Sequence, residues 1–100
     1  MFYKSQCYGK VLLEGTELQD TNADMIELEY HKILKEENNT YGIALIERIH
    51  LQDKIEVEVE TLENMNYSET MVSTILPILM KSKVMIGHLN DVILDMEYCY

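Results

Sequence analysis

The residues whose spacing best suits chemistry are His88, Asp91 and Asp95, close to the C-terminus. On a helix, residues three and four positions apart lie on one face, so this spacing brings an imidazole and two carboxylates together. Such a set suits metal binding or acid–base chemistry. Three ligands from one short helix leave a coordination sphere unfinished, whereas Asp91 near a helix start is stabilised by the helix dipole. We favour the structural interpretation and keep the three residues as weak site candidates.

The rest of the chain carries no recognisable catalytic motif. It has no nucleophile elbow, no glycine-rich phosphate loop and no HExxH sequence. Cys7 and Cys99 lie near opposite ends, without the close Cys or His spacing of a zinc site. We therefore predict a protein that is not an enzyme, with no metal site and no cofactor.

Acidic residues dominate the charge of the chain. Asp and Glu outnumber Lys and Arg by 18 to 8, which gives the 100 residues a formal net charge of -10. This charge repels a nucleic-acid backbone, so we predict no direct nucleic-acid binding. The acidity either keeps the protein soluble or attracts a basic protein partner.

The hydrophobic content of 47% suits a single domain over residues 1–100. No apolar stretch approaches the roughly 20 residues of a membrane span, and the N-terminus has no apolar signal region. Two cysteines also fit a reducing compartment better than a disulfide-rich secreted domain. The expected location is the cytoplasm, with no membrane partner.

Residues 55–60 alternate strictly between β-branched and carboxylate side chains, which is typical of a strand with one buried and one solvated face. We predict that the β-branched residues face the core and that the glutamates face solvent. Two further alternating segments, residues 25–35 and 41–51, predict two more strands. The short apolar run at residues 11–13 is either a first strand or an apolar arm.

The length of a loop between two strands decides which side chains lie opposite each other. A three-residue loop at residues 52–54 pairs Leu51 with Ile55. Arg48 and His50 then each lie between two glutamates on the outer face, which fixes the register more than it stabilises the fold. The two predicted rows are Glu29, Arg48, Glu58 and Glu27, His50, Glu56.

The apolar residues change to a helical spacing in the last third of the chain. Asn66 and Glu69 have the spacing of a capping box, so we predict a helix over residues 67–81. Pro77 lies inside this helix and predicts a kink or a break near Leu76. A second amphipathic helix is predicted to begin at Gly87.

Together these elements predict an α+β fold: a three- to four-stranded antiparallel meander with two C-terminal helices packed on one face. Residues 1–24 are the N-terminal arm or edge strand, residues 25–63 the meander and residues 66–98 the helical part. The helices must cover the apolar face of the sheet, because no other part of the chain is able to do so.

Two short motifs resemble a family of small uncharacterised proteins from spore-forming anaerobic bacteria. They are the strand start Thr-Tyr-Gly-Ile at residues 40–43 and the segment His-Leu-Asn-Asp-Val-Ile-Leu-Asp at residues 88–95. The resemblance covers roughly residues 25–97, and one family pattern has proline where this chain has Gly87. The family has no assigned activity, so the resemblance implies the architecture alone.

The first predicted helix is apolar over a wider arc than one small sheet buries, which predicts an exposed strip that meets a partner. The acidic sheet face offers a second surface to a basic partner. Our leading hypothesis is a non-enzymatic protein-interaction or regulatory module, in its sharpest form an anti-defence inhibitor of a nucleic-acid-binding enzyme, encoded by a mobile element. The candidate partner-binding residues are Ile75, Ile78, Leu79, Met80, Glu27, Glu29, Glu56, Glu58 and Glu60.

The alternative hypothesis belongs to another class of protein. It is an oligomer, such as a homodimer, that holds a small anionic or nucleotide-like ligand between its protomers. Lys81 and Lys83, close together near a helix end, are the best local pair of cations for such a ligand.

Overall fold

The computed structural model describes residues 3–18, 23–36, 39–89 and 91–92. Its strands are β1 (Tyr3–Leu13), β2 (Met25–Lys35), β3 (Thr40–His50) and β4 (Ile55–Tyr67), and its helix is α1 (Glu69–Lys81). A 3-10 turn at Gly15–Leu18 follows β1. The strands form one antiparallel sheet in the order β1-β2-β3-β4, so β1 and β4 are its edges.

One helix covers one face of this sheet, which we call the inner face; the opposite face is the outer face. Alternation along β2 sends Ile26, Leu28 and Tyr30 inward, where they are buried. Helical spacing turns one side of α1 toward them. The buried residues of this core are Leu13, Leu18, Ile26, Leu28, Tyr30, Ile43, Leu45, Val72, Ile75, Leu76, Leu79, Val84 and Leu89. No helix within the described ranges is long and apolar enough to cross a membrane.

Helix α1 begins at Glu69, later than predicted, because β4 continues to Tyr67. Ser68 is the N-cap: its side-chain oxygen accepts the backbone N–H of Met71 at 3.3 Å. The helix continues through Pro77 to Lys81, so the break predicted at this proline does not occur. The carbonyl that the proline leaves without a helical partner belongs to Ser73, which is exposed and therefore open to water.

The prediction of two helices packed on the sheet is wrong, since the described residues contain one C-terminal helix. After α1 the chain turns at Lys83 and again at Gly87, both with positive φ, at 51° and 98°. Between these turns Val84 is buried, and its carbonyl oxygen accepts the hydroxyl of Tyr30 at 2.8 Å. A loop with interrupted backbone geometry therefore takes the place predicted for the start of a second helix.

The orientation of β4 is the reverse of the predicted one. Four residues, 51–54, connect β3 to β4, and His50 pairs with Ile55 where Leu51 was expected. The loop closes through the N–H of Leu51, which donates to the Lys54 carbonyl at 2.8 Å. A one-residue change of register turns every side chain of a strand to the opposite face. The β-branched residues now on the outer face are Ile55, Val57 and Val59, which are 56%, 56% and 62% exposed.

Candidate functional site

Charged side chains meet at the centre of the outer face. Alternation on β2 places Glu29 and His31 there, and β3 contributes Arg48. Glu29 is only 9% exposed, and it accepts hydrogen bonds from Arg48 Nη1 and from His31 Nε2, the latter at 2.8 Å. Lys10 Nζ of β1 lies 3.8 Å from Glu29 Oε2, the same oxygen that accepts the bond from Arg48. A nearly buried carboxylate is therefore enclosed by nitrogen donors.

The electrostatics of this cluster favour the ionised form of Glu29. Burial alone would raise the pKa of its carboxyl group. Hydrogen bonds from Arg48 and His31, together with the positive charges of Arg48 and Lys10, outweigh the burial and hold the pKa below its ordinary value. Glu29 is consequently a carboxylate at neutral pH.

A β-bulge in β1 brings a thiol to the same cluster. The register of β1 against β2 shifts between Cys7 and Gly9, so one extra residue lies between them. Cys7 lies opposite His31, and the Ser5 hydroxyl oxygen is 2.9 Å from His31 Nδ1. Cys7 Sγ, a carboxylate oxygen of Glu29 and a ring nitrogen of His31 all lie within 4.8 Å of one another. We call these three residues the outer-face triad.

Sequence reasoning missed this triad. The predicted first strand began at residue 11, which left Cys7 without a place in the sheet. One signal was available, because Glu29 and His31 are two positions apart and therefore share a face of a strand. The third donor depends on the register of β1, which no local pattern in the sequence specifies.

The predicted outer-face rows form only in part. Arg48 bonds to Glu29 and His50 Nε2 bonds to Glu27, as expected between β2 and β3. These pairs are diagonal, because the residue directly opposite Arg48 is Glu27. The glutamates of β4 do not complete the rows, since the reversed strand turns them to the inner side.

The five glutamates proposed as a partner surface lie on both sides of the sheet. Glu27 and Glu29 are on the outer face, where they pair with His50 and with Arg48. The other three, all on β4, project on the inner side at the edge of the sheet. They are Glu56, which pairs with Lys54 at 3.1 Å, Glu58, which lies opposite Glu47, and Glu60, which accepts the Gly87 N–H at 3.4 Å.

Glu47 is a buried carboxylate that the sequence did not single out. It is 5% exposed, and its Oε2 accepts the N–H of Ile86 at 3.2 Å. Burial raises the pKa of the Glu47 carboxyl group, and the negative charge of Glu58 raises it further. The hydrogen bond from the Ile86 N–H lowers the pKa but does not cancel the other two effects, so the pKa lies above its ordinary value. Burial, with the charge of Glu47, also raises the pKa of Tyr30 to about 12, which keeps its hydroxyl a donor to Val84.

The candidate residues on α1 lie mostly against the sheet. Ile75 and Leu79 are 5% and 0% exposed, and Met80 is half-buried. Ile78 is 38% exposed and is the one of these four on the solvent side. Most of the wide apolar arc of α1 is therefore buried against the sheet, while Ile78 and Met71 remain exposed. The partner-binding role of these residues stays a prediction.

The C-terminal candidates are placed only in part. His88 and Asp91 are exposed, and Asp95 lies outside the described residues. The His88 N–H donates to the Met85 carbonyl at 3.1 Å, and its own carbonyl accepts the Val92 N–H at 3.0 Å. The first bond belongs to a turn and the second has the i to i+4 spacing of a helix, so His88 lies where a turn passes into helical backbone at Leu89.

A groove with a volume of about 320 Å³ lies beside the start of α1. Its cations already have carboxylate partners: Lys32 Nζ is 3.1 Å from Glu69, and Lys4 Nζ is 3.2 Å from Glu36. The hydroxyl of Tyr41 donates to Glu69 at 3.0 Å. The groove is lined by Lys4, Ser5, Gln6, Lys32, Leu34, Tyr41 and Glu69.

A four-stranded antiparallel meander with one helix across its inner face defines a small α+β protein. The chain belongs to a family of unknown function, DUF6514, whose family model matches residues 9–97. No curated protein and no solved structure matches the chain. The family agrees with the expectation of an uncharacterised family, over a longer stretch than the motifs suggested, and it assigns no activity.

Proposed function

We propose that this protein is a non-enzymatic protein-interaction module whose binding surface is the free edge of β4. The observation that carries the proposal is the outer apolar stripe, defined as Ile55, Val57 and Val59, each more than half exposed on an edge strand. Among the described residues, β4 has a neighbouring strand on one side only. An edge strand with exposed β-branched residues is a template for adding another strand.

The charge on β4 specifies the chemistry of the partner. The same strand that carries the apolar stripe carries glutamates on its other side, and the side-chain carboxylate of Glu58 makes no hydrogen bond or ion pair with the described residues. A strand that pairs with β4 meets apolar side chains on one face and carboxylates on the other. The partner is therefore an extended segment in which apolar and basic residues alternate, donated by another protein.

A second copy of this chain fits the edge less well. Antiparallel pairing of two β4 strands about Val57 would place Glu56 opposite Glu58 in both directions. Like charges directly opposite each other destabilise a strand pair. Self-association through β4 is consequently a competing outcome of the test rather than the proposed state.

The experiment measures binding of synthetic strand peptides by fluorescence anisotropy and by amide hydrogen exchange. A peptide that alternates valine and lysine should bind and protect amides of β4, and one that alternates valine and glutamate should not. Glu58→Lys should make the protein prefer the valine–glutamate peptide. Glu14→Lys, a charge reversal at an exposed residue outside the strand, should leave the preference unchanged. Val57→Lys should abolish binding, and Leu12→Lys, on the opposite edge strand, should not. Protection elsewhere in the sheet, or concentration-dependent dimerisation through β4 alone, would reject the proposal.

The narrower form of the proposal is inhibition of a nucleic-acid-binding enzyme, such as an anti-defence role on a mobile element in spore-forming anaerobic bacteria, in the cytoplasm. Its acidic surface reduces to the glutamates of β4, because Glu27 and Glu29 are on the other face and already paired. Reversal of Glu56, Glu58 and Glu60 to lysine should remove inhibition. Inhibition that survives the triple reversal contradicts the idea that these glutamates imitate the phosphates of a nucleic acid, while leaving strand addition open.

The groove beside α1 supports a second candidate, the binding of a small anionic ligand. Lys4 and Lys32 line it together with the Tyr41 hydroxyl. It ranks second because an anion would have to compete with Glu36 and Glu69 for the two lysines. Thermal-shift measurements with inorganic phosphate and nucleotides test it, with Lys32→Gln as the variant that should lose any response.

A further inference from the structure

We infer that the outer-face triad of Cys7, Glu29 and His31 is a binding site for Zn²⁺, independent of the proposed function at β4. Three donor atoms of three kinds, a sulfur, a carboxylate oxygen and an imidazole nitrogen, already lie within 4.8 Å of one another. Thiolate, imidazole and carboxylate are the ligands that Zn²⁺ takes in proteins. This inference departs from the sequence-based expectation of no metal site.

The strand geometry assembles the triad before any metal arrives. Glu29 and His31 share the outer face of β2, and the ladder places Cys7 directly across from His31. The bulge that follows Cys7 shifts the rest of β1 by one residue, and bulges commonly re-aim a side chain next to a functional site. Two of the ligands therefore stand on a central strand of the sheet, and the third is the exposed thiol on the edge strand.

The distances allow tetrahedral coordination with small movements. With usual bond lengths to zinc, two ligand atoms lie roughly 3.4 to 3.6 Å apart. His31 Nε2 and Glu29 Oε1 are now 2.8 Å apart and joined by a hydrogen bond. Zn²⁺ would take the place of the Nε2–H proton, which passes through solvent to Nδ1 as the imidazole changes tautomer, and the two atoms would separate by less than about 1 Å. The thiol S–H breaks on binding, and its proton passes to solvent.

Both rigid ligands have partners that hold them in a metal-binding orientation. The Ser5 hydroxyl oxygen lies 2.9 Å from His31 Nδ1, so it can accept Nδ1–H and leave the Nε2 lone pair for the metal. Metal-bound histidines usually donate their second nitrogen in this way. Arg48 holds the other oxygen of Glu29, which leaves Oε1 toward the metal. Three protein ligands would leave the fourth position of a tetrahedral Zn²⁺ to water.

Two positive charges near the site oppose metal binding and supply a diagnostic variant. Arg48 bonds to the carboxylate, and Lys10 Nζ lies 3.8 Å from it. Lys10 is exposed and donates nothing to the metal, so Lys10→Gln removes repulsion without removing a ligand. We expect this variant to bind Zn²⁺ about two- to tenfold more tightly. A purely structural role for the cluster predicts no gain in metal affinity.

The test titrates Co²⁺ and then Zn²⁺ into the full chain in a Cys99→Ser background, where Cys7 is the one thiol left. Co²⁺ should give a thiolate-to-metal charge-transfer band that Zn²⁺ displaces. Cys7→Ser should remove the band, and Ser5→Ala should weaken Zn²⁺ binding by about tenfold. Glu58→Gln, an exposed acidic residue outside the triad, should leave it unchanged.

Three results would overturn the assignment. They are the absence of a charge-transfer band, Zn²⁺ binding that Cys7→Ser leaves intact, and a loss of affinity in Lys10→Gln. Cys7→Ser changes an exposed residue and should fold, which circular dichroism verifies. The result is independent of the β4 surface, because Val57→Lys should leave the cobalt spectrum unchanged.

Discussion

The outward orientation of β4 predicts an unusual tolerance at Val57. Valine and threonine have the same branched shape and similar strand preference, so Val57→Thr changes polarity with little change of packing. Val57 is 56% exposed, and a substitution at such a site is expected to change the free energy of unfolding by less than about 0.5 kcal/mol. Val72 in α1 is 0% exposed and gives the matched buried control.

Val72→Thr should be far more costly than Val57→Thr. Placing a hydroxyl where an apolar methyl group was buried destabilises a protein by about 1 to 3 kcal/mol, and the helix preferences of valine and threonine are nearly equal. In a chain of this size, 1 kcal/mol shifts the melting temperature by roughly 4 to 8 °C. Val72→Thr should therefore lower the midpoint by at least about 4 °C, and Val57→Thr by less than that.

Thermal unfolding followed by circular dichroism, together with urea unfolding at low protein concentration, measures both variants. Low concentration matters because association through the outer apolar stripe would raise the apparent stability. If Val57→Thr destabilises the protein as strongly as Val72→Thr, Val57 faces the core. The register of β4 would then be the three-residue-loop register predicted from the alternation, and the proposed edge surface would be lost.

Three further predictions concern the cluster, the bulge and the helix start. Glu29→Gln should lower the free energy of unfolding by about 1 to 3 kcal/mol, because it leaves Arg48 without its charged partner. Since the pKa of Glu29 is lowered in the folded protein, this stabilisation is present above the ordinary carboxyl pKa of 4.5 and is lost as the pH falls below that value. The urea midpoints of the variant and the parent should therefore converge in acid. Gly9→Ala should destabilise by less than about 1 kcal/mol, because an added Cβ would lie 2.5 Å from the terminal methyl carbon of Met80, a flexible side chain that is able to turn aside; Met80→Ala should remove this cost in a double-mutant cycle, and additive melting shifts would contradict the contact. Ser68→Ala should cost about 1 kcal/mol, seen as a lower melting temperature, whereas Asn66→Ala should not lose a cap.

The sequence was informative where one strand or helix decides the outcome by itself. The alternation of β2 gave the correct face for Ile26, Leu28 and Tyr30, because its apolar side has a clear partner in α1. It also predicted the contact between Glu29 and Arg48. The helix ends at Lys81 as expected, since its apolar spacing stops there. These features depend on local periodicity and on the need to bury an apolar face.

The outer-face triad required information that local patterns do not hold. Its three residues come from two strands, and the thiol reaches the histidine only in the register of β1 before the bulge. Bulges and loop lengths are set by packing between strands rather than by the alternation within one. The same limit explains why the predicted second helix was wrong. The sequence pattern predicted a helix that begins at Gly87, but the positive φ of Gly87 is that of a turn.

The reversal of β4 follows from what covers its inner side. The loop after α1 presents backbone N–H groups there, and two of them, at Ile86 and Gly87, donate to Glu47 and Glu60. Unpaired N–H groups beside an apolar strand would be costly, whereas carboxylates satisfy them. On β4 the acceptor is Glu60, since Glu47 belongs to β3, and this bond favours the orientation in which the glutamates of β4 face the loop and the β-branched residues face outward. The exposed stripe on which the proposed binding edge depends is thus coupled to the polar loop on the opposite side of the sheet.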